Sequence, residues 1–365
     1  MRCTALLRIR ELSLQPFRNF DRTQLRLEAD RILISGANGR GKSNLLEAIS
    51  YLSIGKSVRG AKDEQAVPHG GQHFDVRALC DGARPCQELR LFYARDGGKK
   101  AFHNGTQLPR VLDMLGLFRT AHFSPEDVSL VLRFPAQRRR LLDILISQAD
   151  PQYLHDLQRY QRVLLQRNHL LRGHTTAAGP DPGAQGLDSW TAQLARLGAR
   201  LRARRLEVIG AIGATFAAYC RRFSGGREEA ALEYLGPSAQ GPTEEGLAAE
   251  LAALRRQEQR LGFTLCGPHR DDLVFLLNGQ PADAFASEGQ LKTLLIAWKM
   301  SEACFLQQRS GDAPVLLLDD VFSELDEERT HELLESIDGF EQVLVTSPKP
   351  LAADIAAGFE QVHLA

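Results

Sequence analysis

The chain has 365 residues, 43% hydrophobic and 25% charged, with 45 basic and 45 acidic side chains in balance. This is a globular composition with core enough for one large or two moderate domains, and it argues against disorder. No apolar run approaches the ~20 residues of a membrane span and no signal-type apolar segment opens the chain, so a cytoplasmic protein without a transmembrane role is expected. The six cysteines (Cys3, Cys80, Cys86, Cys220, Cys266, Cys304) are scattered without a C-x-x-C pair, as in a protein with reduced thiols. The neutral total hides an asymmetry. Residues 151–230 carry twelve arginines against six acids, a net +6, and residues 312–365 carry thirteen acids against two bases, a net −11. Basic patches for a polyanion therefore remain open. Arginine outnumbers lysine 37 to 8, which reads as no more than codon bias.

In chain order, residues 6–14, 24–27 and 32–35 alternate or run apolar like strands. Between the first two lies Phe17-Arg18-Asn19-Phe20, a turn with two readings: aromatic core packing at a strand end, or a placement of Arg18 near a bound nucleotide. The strand at 32–35 runs into Gly36-Ala37-Asn38-Gly39-Arg40-Gly41-Lys42-Ser43-Asn44, and a helix is expected through residue 54. Gly36, Gly41, Lys42 and Ser43 match G-x-x-x-x-G-K-S/T, the P-loop pattern. Its glycines let backbone N–H groups close around phosphates. Lys42 would reach the β- and γ-phosphates, Ser43 would ligate Mg²⁺, and the helix N-terminus adds favourable partial charge.

Strands are expected at 74–80, 88–93 and 99–102, then a hairpin turn at Asn104-Gly105, making a mixed sheet around one phosphate site. The pattern changes at Phe123-Ser124-Pro125-Glu126-Asp127, where Ser124 is placed to cap a helix with Pro125 at its first position. A helix starts at Pro135 and carries Arg138, Arg139 and Arg140. Residues 151–171 and a long stretch from 188 to about 223 have helical spacing, separated by a Gly/Pro-rich break at 173–187. They read as an antiparallel helical arm, with bends expected at Gly198, Gly210 and Gly213. A strand at 231–235, an amphipathic helix at 243–261 and a hairpin around Asn278-Gly279 follow.

The second half of the nucleotide site comes late. Val315-Leu316-Leu317-Leu318-Asp319-Asp320 is an apolar strand ending in two acids, the Walker B pattern. Asp319 would hold the Mg²⁺ shell, and Asp320 would orient or deprotonate the attacking water, with Lys42 as its catalytic partner. Asp326 suits the cap of the next helix better than Asp319 does. A strand at 342–345 then ends at Thr346-Ser347. Ahead of Walker B stands Phe285-Ala286-Ser287-Glu288-Gly289-Gln290-Leu291-Lys292. It is similar to the Leu-Ser-Gly-Gly-Gln signature of ABC-type ATPases, with Ala286 for the leucine and Glu288 for the first glycine. Ser287, Gly289 and Gln290 are kept.

Across nearly its full length the chain resembles the RecF family of bacterial recombination-repair ATPases. The resemblance rests on Phe17-Arg18-Asn19-Phe20, the 36–44 loop, the 123–127 motif with Arg138-Arg139-Arg140, Gln166-Arg167-Asn168, and Gly267-Pro268-His269-Arg270-Asp271-Asp272. Arg133 departs from a usual glycine and Leu141 from an aromatic, neither at a nucleotide-handling position. The resemblance implies an α/β fold: an ABC-type ATPase head whose P-loop lobe holds a mixed β-sheet, and a helical second lobe with a short antiparallel arm. The expected division is 1–122 completed by 311–365, with 123–310 as the second lobe, its arm at about 151–225 and its signature motif. ATP and Mg²⁺ are the implied cofactors. Implied too are an ATP-dependent homodimer, DNA binding at single/double-strand junctions, RecA loading with RecO and RecR, and slow DNA-stimulated hydrolysis. Arg138, Arg139 and Arg140 are the candidate DNA contacts, while His269 and Arg270 are open between structural and catalytic roles. Two alternatives stand beside the repair switch: a structural DNA clamp with negligible turnover, and a transporter ATPase subunit. In the latter the P-loop and signature lie much closer together than Gly36 and Ser287.

Overall fold

A computed structural model describes residues 8–81, 87–126, 128, 134–176, 184–236, 241–348 and 350–364. Cys3, Cys86, Asp127 and Arg133 lie outside these. In chain order it begins with β1 (Arg8–Leu14), β2 (Thr23–Arg26), β3 (Arg31–Ser35) and α1 (Lys42–Ile54). Then come β4 (His73–Asp81), β5 (Gln87–Ala94), β6 (Gly98–His103), β7 (Thr106–Gln107) and β8 (Thr120–Phe123). The helices α2 (Pro135–Ala149), α3 (Pro151–Thr176) and α4 (Ala184–Phe223) follow, then β9 (Ala230–Leu235), α5 (Glu244–Leu261), β10 (Asp272–Leu277) and β11 (Gln280–Pro281). The chain closes with α6 (Glu288–Ser310), β12 (Val315–Leu318), α7 (Glu327–Ile337), β13 (Val343–Ser347) and β14 (Glu360–His363).

Contacts divide the chain into two units, one of Met1–Leu130, Thr215–Ala230 and Phe285–Ala365, the other of Val131–Ala214 and Ala231–Ala284. In the first, the single mixed sheet expected from sequence resolves into two. One is antiparallel in the order β2-β1-β4-β5-β6-β7, the other runs β14-β3-β13-β12-β8 with its strands parallel. The antiparallel strands alternate buried and exposed residues, whereas β12, β13 and β8 are buried throughout, as expected of a parallel sheet covered on both faces. Helix α1 packs against both sheets, and Leu45, Ile49 and Leu52 share one core with Ile9, Phe74, Ile34, Leu317 and Leu344. Each fully buried leucine of this set is worth roughly 1.5–3 kcal/mol.

Strand β8 was not expected from sequence, and it moves the unit boundary. Thr120–Phe123 pairs with β12, and α6, buried at Leu294, Leu295, Ala297 and Trp298, packs on it. The signature-bearing segment, expected with the helical lobe at 123–310, therefore groups with the P-loop sheets.

In the second unit, α3 and α4 run antiparallel. Tyr153 meets Arg205, Tyr160 lies beside Gly198, Arg167 reaches Thr191 and Leu170 lies beside Gly186. Helix α4 is continuous through Gly198, Gly210 and Gly213, so none of the three glycines breaks it. Gly198 serves packing instead: a Cβ there would stand 2.4 Å from Leu247 and 3.3 Å from Tyr160. Both hairpin turns read from sequence have their Asn-Gly pairs at positive φ, 49° and 75° at Asn104-Gly105 and 49° and 78° at Asn278-Gly279. Among the described residues no helix is long and apolar enough to cross a membrane.

Candidate nucleotide site

Strand β3 ends at Ser35 and the chain turns through the glycine loop into α1, whose N-cap is Gly41 at φ 98°. Glycine is required there twice over. The backbone is left-handed, and a Cβ would stand 2.5 Å from the Asn19 side-chain oxygen. Asn19 braces the loop, donating from Nδ2 to the Arg40 carbonyl (3.0 Å) and accepting from Asn44 Nδ2 (2.8 Å). Lys42, 8% exposed, donates from Nζ to the Gly36 (2.6 Å) and Ala37 (3.1 Å) carbonyls, so its charge is held at the rim of its own loop.

The carboxylates of Walker B arrive from the end of the parallel strand β12, where ligands collect in such sheets. Ser43 Oγ donates to Asp319 Oδ1 (2.8 Å), and Thr346 Oγ1, from the end of β13, donates to the same oxygen (2.6 Å). The Thr346 hydroxyl also accepts the Asp320 backbone N–H (2.9 Å), so one side chain ties both acids together. Asp320 sits at φ 48°, a strained conformation for a non-glycine residue and one that recurs at functional sites. Arg59 lies 3.4 Å from Asp319 Oδ2 and 3.5 Å from Asn44 Oδ1.

These groups open on a cavity of about 310 Å³ lined by Asn38, Gly39, Lys42, Ser43, Arg59 and Glu126, with Asp319, Asp320 and Thr346. Two cations and three acids around a glycine loop suit a polyphosphate with a divalent ion. The hard oxygens of Ser43 and Asp319, already within hydrogen-bond distance of each other, fit Mg²⁺.

The structure places four groups singled out in the sequence. The two aromatics of the Phe17-Arg18-Asn19-Phe20 turn are core packing: both are buried, and Phe17 stands edge-on to Tyr51 and Phe74. Arg18 does not line the cavity. Buried Glu47 takes two of its nitrogens (2.8 and 3.1 Å) and the Gln65 carbonyl a third (2.9 Å). Second, Arg138 cannot be a solvent-facing phosphate contact. It is 4% exposed and grips Asp272 at 2.9 and 2.5 Å, while Arg139 donates to the Asp271 carbonyl (2.8 Å) and Arg140 is half-buried. Third, His269 has both ring nitrogens engaged, by Tyr160 (2.7 Å) and the Thr264 carbonyl (3.3 Å), and Arg270 stacks over Phe263. Both lie in the second unit, and every residue lining the cavity belongs to the first. Fourth, Ser287, Gly289 and Gln290 are not in the cavity lining. Ser287 caps α6 in a capping box with Gln290, whose Nε2 donates to Glu228 (3.0 Å).

Arg59 and the role of Thr346 were missed from sequence. Arg59 closes a basic loop, Gly55-Lys56-Ser57-Val58-Arg59-Gly60, directly after the P-loop helix. Thr346 is a hydroxyl at the end of an apolar strand that neighbours Walker B in the sheet.

A P-loop and a Walker B pair at the ends of parallel strands β3 and β12, one strand apart in the sheet, with an antiparallel sheet and a capped signature-type helix, define an ABC-type ATPase head. Residues 8–362 match the RecF/RecN/SMC N-terminal domain family. The chain is 40% identical over 354 residues to the DNA replication and repair protein RecF of Chloroflexus aggregans, covering 90% of each chain. It is 37% identical over 366 residues to that of a Synechococcus species, covering 97% of this chain and 96% of the other. A solved structure of the recombination mediator protein RecF with ATP, in the RecFOR pathway, superposes with a TM-score of 0.88 at 32% identity, covering 96% and 94%. An SMC head bound to the winged-helix domain of ScpA shares the fold, with a TM-score of 0.55 at 16% identity. The chain belongs to the RecF family.

Proposed function

We propose that this chain is an ATP-driven, DNA-binding switch of recombinational repair and replication-fork maintenance, working in the cytoplasm. The observation that carries the proposal is the hydrogen-bonded chain Ser43–Asp319–Thr346–Asp320, opening beside Lys42 on one cavity. The P-loop N–H groups of residues 36–44 cradle the phosphates, and Lys42 leaves its loop carbonyls for the β- and γ-phosphates. Ser43 and Asp319 hold Mg²⁺, which when bound neutralises charge building between those phosphates. Asp320 orients the attacking water, and Arg59 takes up phosphate charge in place of Asp319. The transporter alternative falls with the family match.

The signature residues Ser287, Gly289 and Gln290 act on the nucleotide of a second copy, so ATP joins two chains and slow, DNA-stimulated hydrolysis releases them. Support comes from Ser287, which is exposed at a helix N-terminus and absent from its own chain's cavity lining. By analogy with a relative described as a mediator in the RecFOR pathway, the partners are DNA, RecO and RecR, and the product is loaded RecA.

The test is complementation. Lys42→Ala and Ser287→Arg are each expected to be inactive alone. Mixed, one composite site combines both lesions and the other combines an intact P-loop with an intact signature, so turnover and an ATP-dependent heterodimer should return. Neither turnover nor heterodimer in the mixture would sink the shared-site arrangement, leaving Ser287 as a helix cap.

A further inference from the structure

With Arg138 buried, the cationic surface for a polyanion must lie elsewhere, and α3 supplies it. Its inner stripe is Tyr153, Asp156, Tyr160, Val163, Arg167 and Leu171, all buried at helical spacing. The opposite side exposes Arg159, Arg162, Gln166 and His169. At about 100° per residue these four fall within an arc of about 80°, and from first to last they extend about 15 Å along the axis.

Three observations set this face apart from an ordinary solvated helix. First, it holds no acid. Asp156 is the one acidic residue of α3, and it is turned inward, 5% exposed, bonded to Gln152. Second, six other arginines of the second unit are already engaged. Arg167, Arg202 and Arg205 are buried in ion pairs with Glu258, Asp271 and Asp143, and Arg200, Arg204 and Arg255 each approach a carboxylate. By contrast, no described residue pairs with Arg159 or Arg162. Third, the surrounding stretch 151–230 carries a net +6.

We infer that this face of α3 is a contact surface for the phosphate backbone of duplex DNA, Arg159 and Arg162 neutralising phosphates and Gln166 and His169 donating hydrogen bonds. Arginine and glutamine are regular donors to the DNA backbone, an imidazole N–H can donate likewise, and a row about 15 Å long reaches both rims of a major groove about 12 Å wide. The inference locates the surface behind the DNA-binding role proposed above, and takes only the identity of the partner from it.

The experiment compares wild-type protein, Arg159→Glu/Arg162→Glu, and a charge-matched control, Arg22→Glu/Arg26→Glu, whose arginines are exposed on the first unit. Each is titrated onto a 30-base-pair duplex with ATP and Mg²⁺ at several salt concentrations. Melting temperature and DNA-free ATP turnover are read alongside. Reversal on α3 should weaken duplex binding at least tenfold at about 0.1 M salt. It should also lower the slope of log K against log salt by about 1.8, two phosphate contacts at about 0.9 each. Melting and basal turnover should not change, because both arginines are exposed and neither pairs with a described residue, and the control should move binding less than threefold. Unchanged binding in the α3 variant, or an equal loss in the control, overturns the inference while leaving the DNA-binding role intact. A wild-type protein that binds no duplex overturns both.

Discussion

Replacing His122 with leucine should remove a specific part of the protein's sensitivity to acid. His122 stands on β8, 5% exposed, and neither ring nitrogen meets a partner among the described residues. Burial pushes its imidazolium down from the ordinary 6.5 to about 3, helped by Lys299 on α6 and Arg59 beside the cavity; Lys299 is itself paired with Glu302. The native ring is therefore neutral at any moderate pH. The unfolded chain binds a proton below about 6.5 and the native chain only below about 3, so between these values the unfolded state holds more protons and stability falls as pH falls. At pH 5, one and a half pH units below 6.5, the loss is about 2 kcal/mol, at 1.36 kcal/mol per pH unit. His269, pushed down to about 4 chiefly by burial, adds a similar slope that the variant keeps. Urea unfolding is followed by Trp298, buried in the same unit, in a Trp190→Phe background at pH 7.5, 6.5, 5.5 and 5.0. Carboxylate titration is common to both proteins and cancels in the difference. The variant should be at least as stable as its parent at pH 7.5, since two unpaired polar atoms are gone, and should gain about 2 kcal/mol on it by pH 5. A difference flat in pH, or an imidazole resonance of His122 titrating near 6.5, would refute the argument.

Thr346→Val keeps the shape of the side chain but removes the donor to Asp319 and the acceptor for the Asp320 N–H. A hydrogen bond to a charged group is worth about 1.5–3 kcal/mol. Single-turnover ATP hydrolysis should therefore fall roughly 10- to 100-fold, with ATP affinity changed far less. An unchanged rate removes Thr346 from the site. Lys42→Ala should weaken ATP binding or abolish turnover, whereas Asp320→Asn should bind ATP and hold the closed dimer on sizing; wild-type turnover in Asp320→Asn removes it as the water-orienting acid. Arg138→Glu sets a carboxylate against Asp272 in a buried position, at a cost of about 3–5 kcal/mol. Its melting temperature should drop by roughly 10 °C at 2–4 °C per kcal/mol. A variant that melts with wild type would show that Arg138 is not held as described.

The parts legible in the sequence are those governed by neighbours in the chain. The P-loop, both Asn-Gly hairpins and the Asp326 cap each follow from a few adjacent residues, and each stands where its rule puts it. What the sequence hid depends on partners far along the chain. Strand β8 is four residues, Thr-Ala-His-Phe, with no alternation to betray it; only pairing with β12, almost 200 residues later, makes it a strand. Arg18 next to a phosphate loop invites a phosphate contact, yet Glu47, on a buried turn of α1, takes it first. Three consecutive arginines look like a surface patch until Asp272 arrives from 134 residues away.

The same logic gives the excess of arginine over lysine a physical use beyond codon bias. Arg167 bonds Glu258, Thr264 and Thr191; Arg202 bonds Asp271 and Glu250; Arg205 bonds Asp143, Tyr153 and the Pro268 carbonyl. All three are at most 2% exposed. A buried cation is tolerable only when its donors are satisfied, and five donors in a planar fork can serve three acceptors on different elements at once. A lysine ammonium presents three donors at a single point and could not span them. Two of these guanidinia sit between α3 and α4, Arg167 rising from one and Arg205 from the other, and they fix the helices against sliding and rotation. A helix pinned on its inner face holds its outer face in register. Row and clamp alternate along α3, so that Gln166 and His169 flank the position from which Arg167 reaches inward. The inward arginines therefore position the outward ones, and a spacing set inside the second unit becomes the spacing it offers to a phosphate backbone.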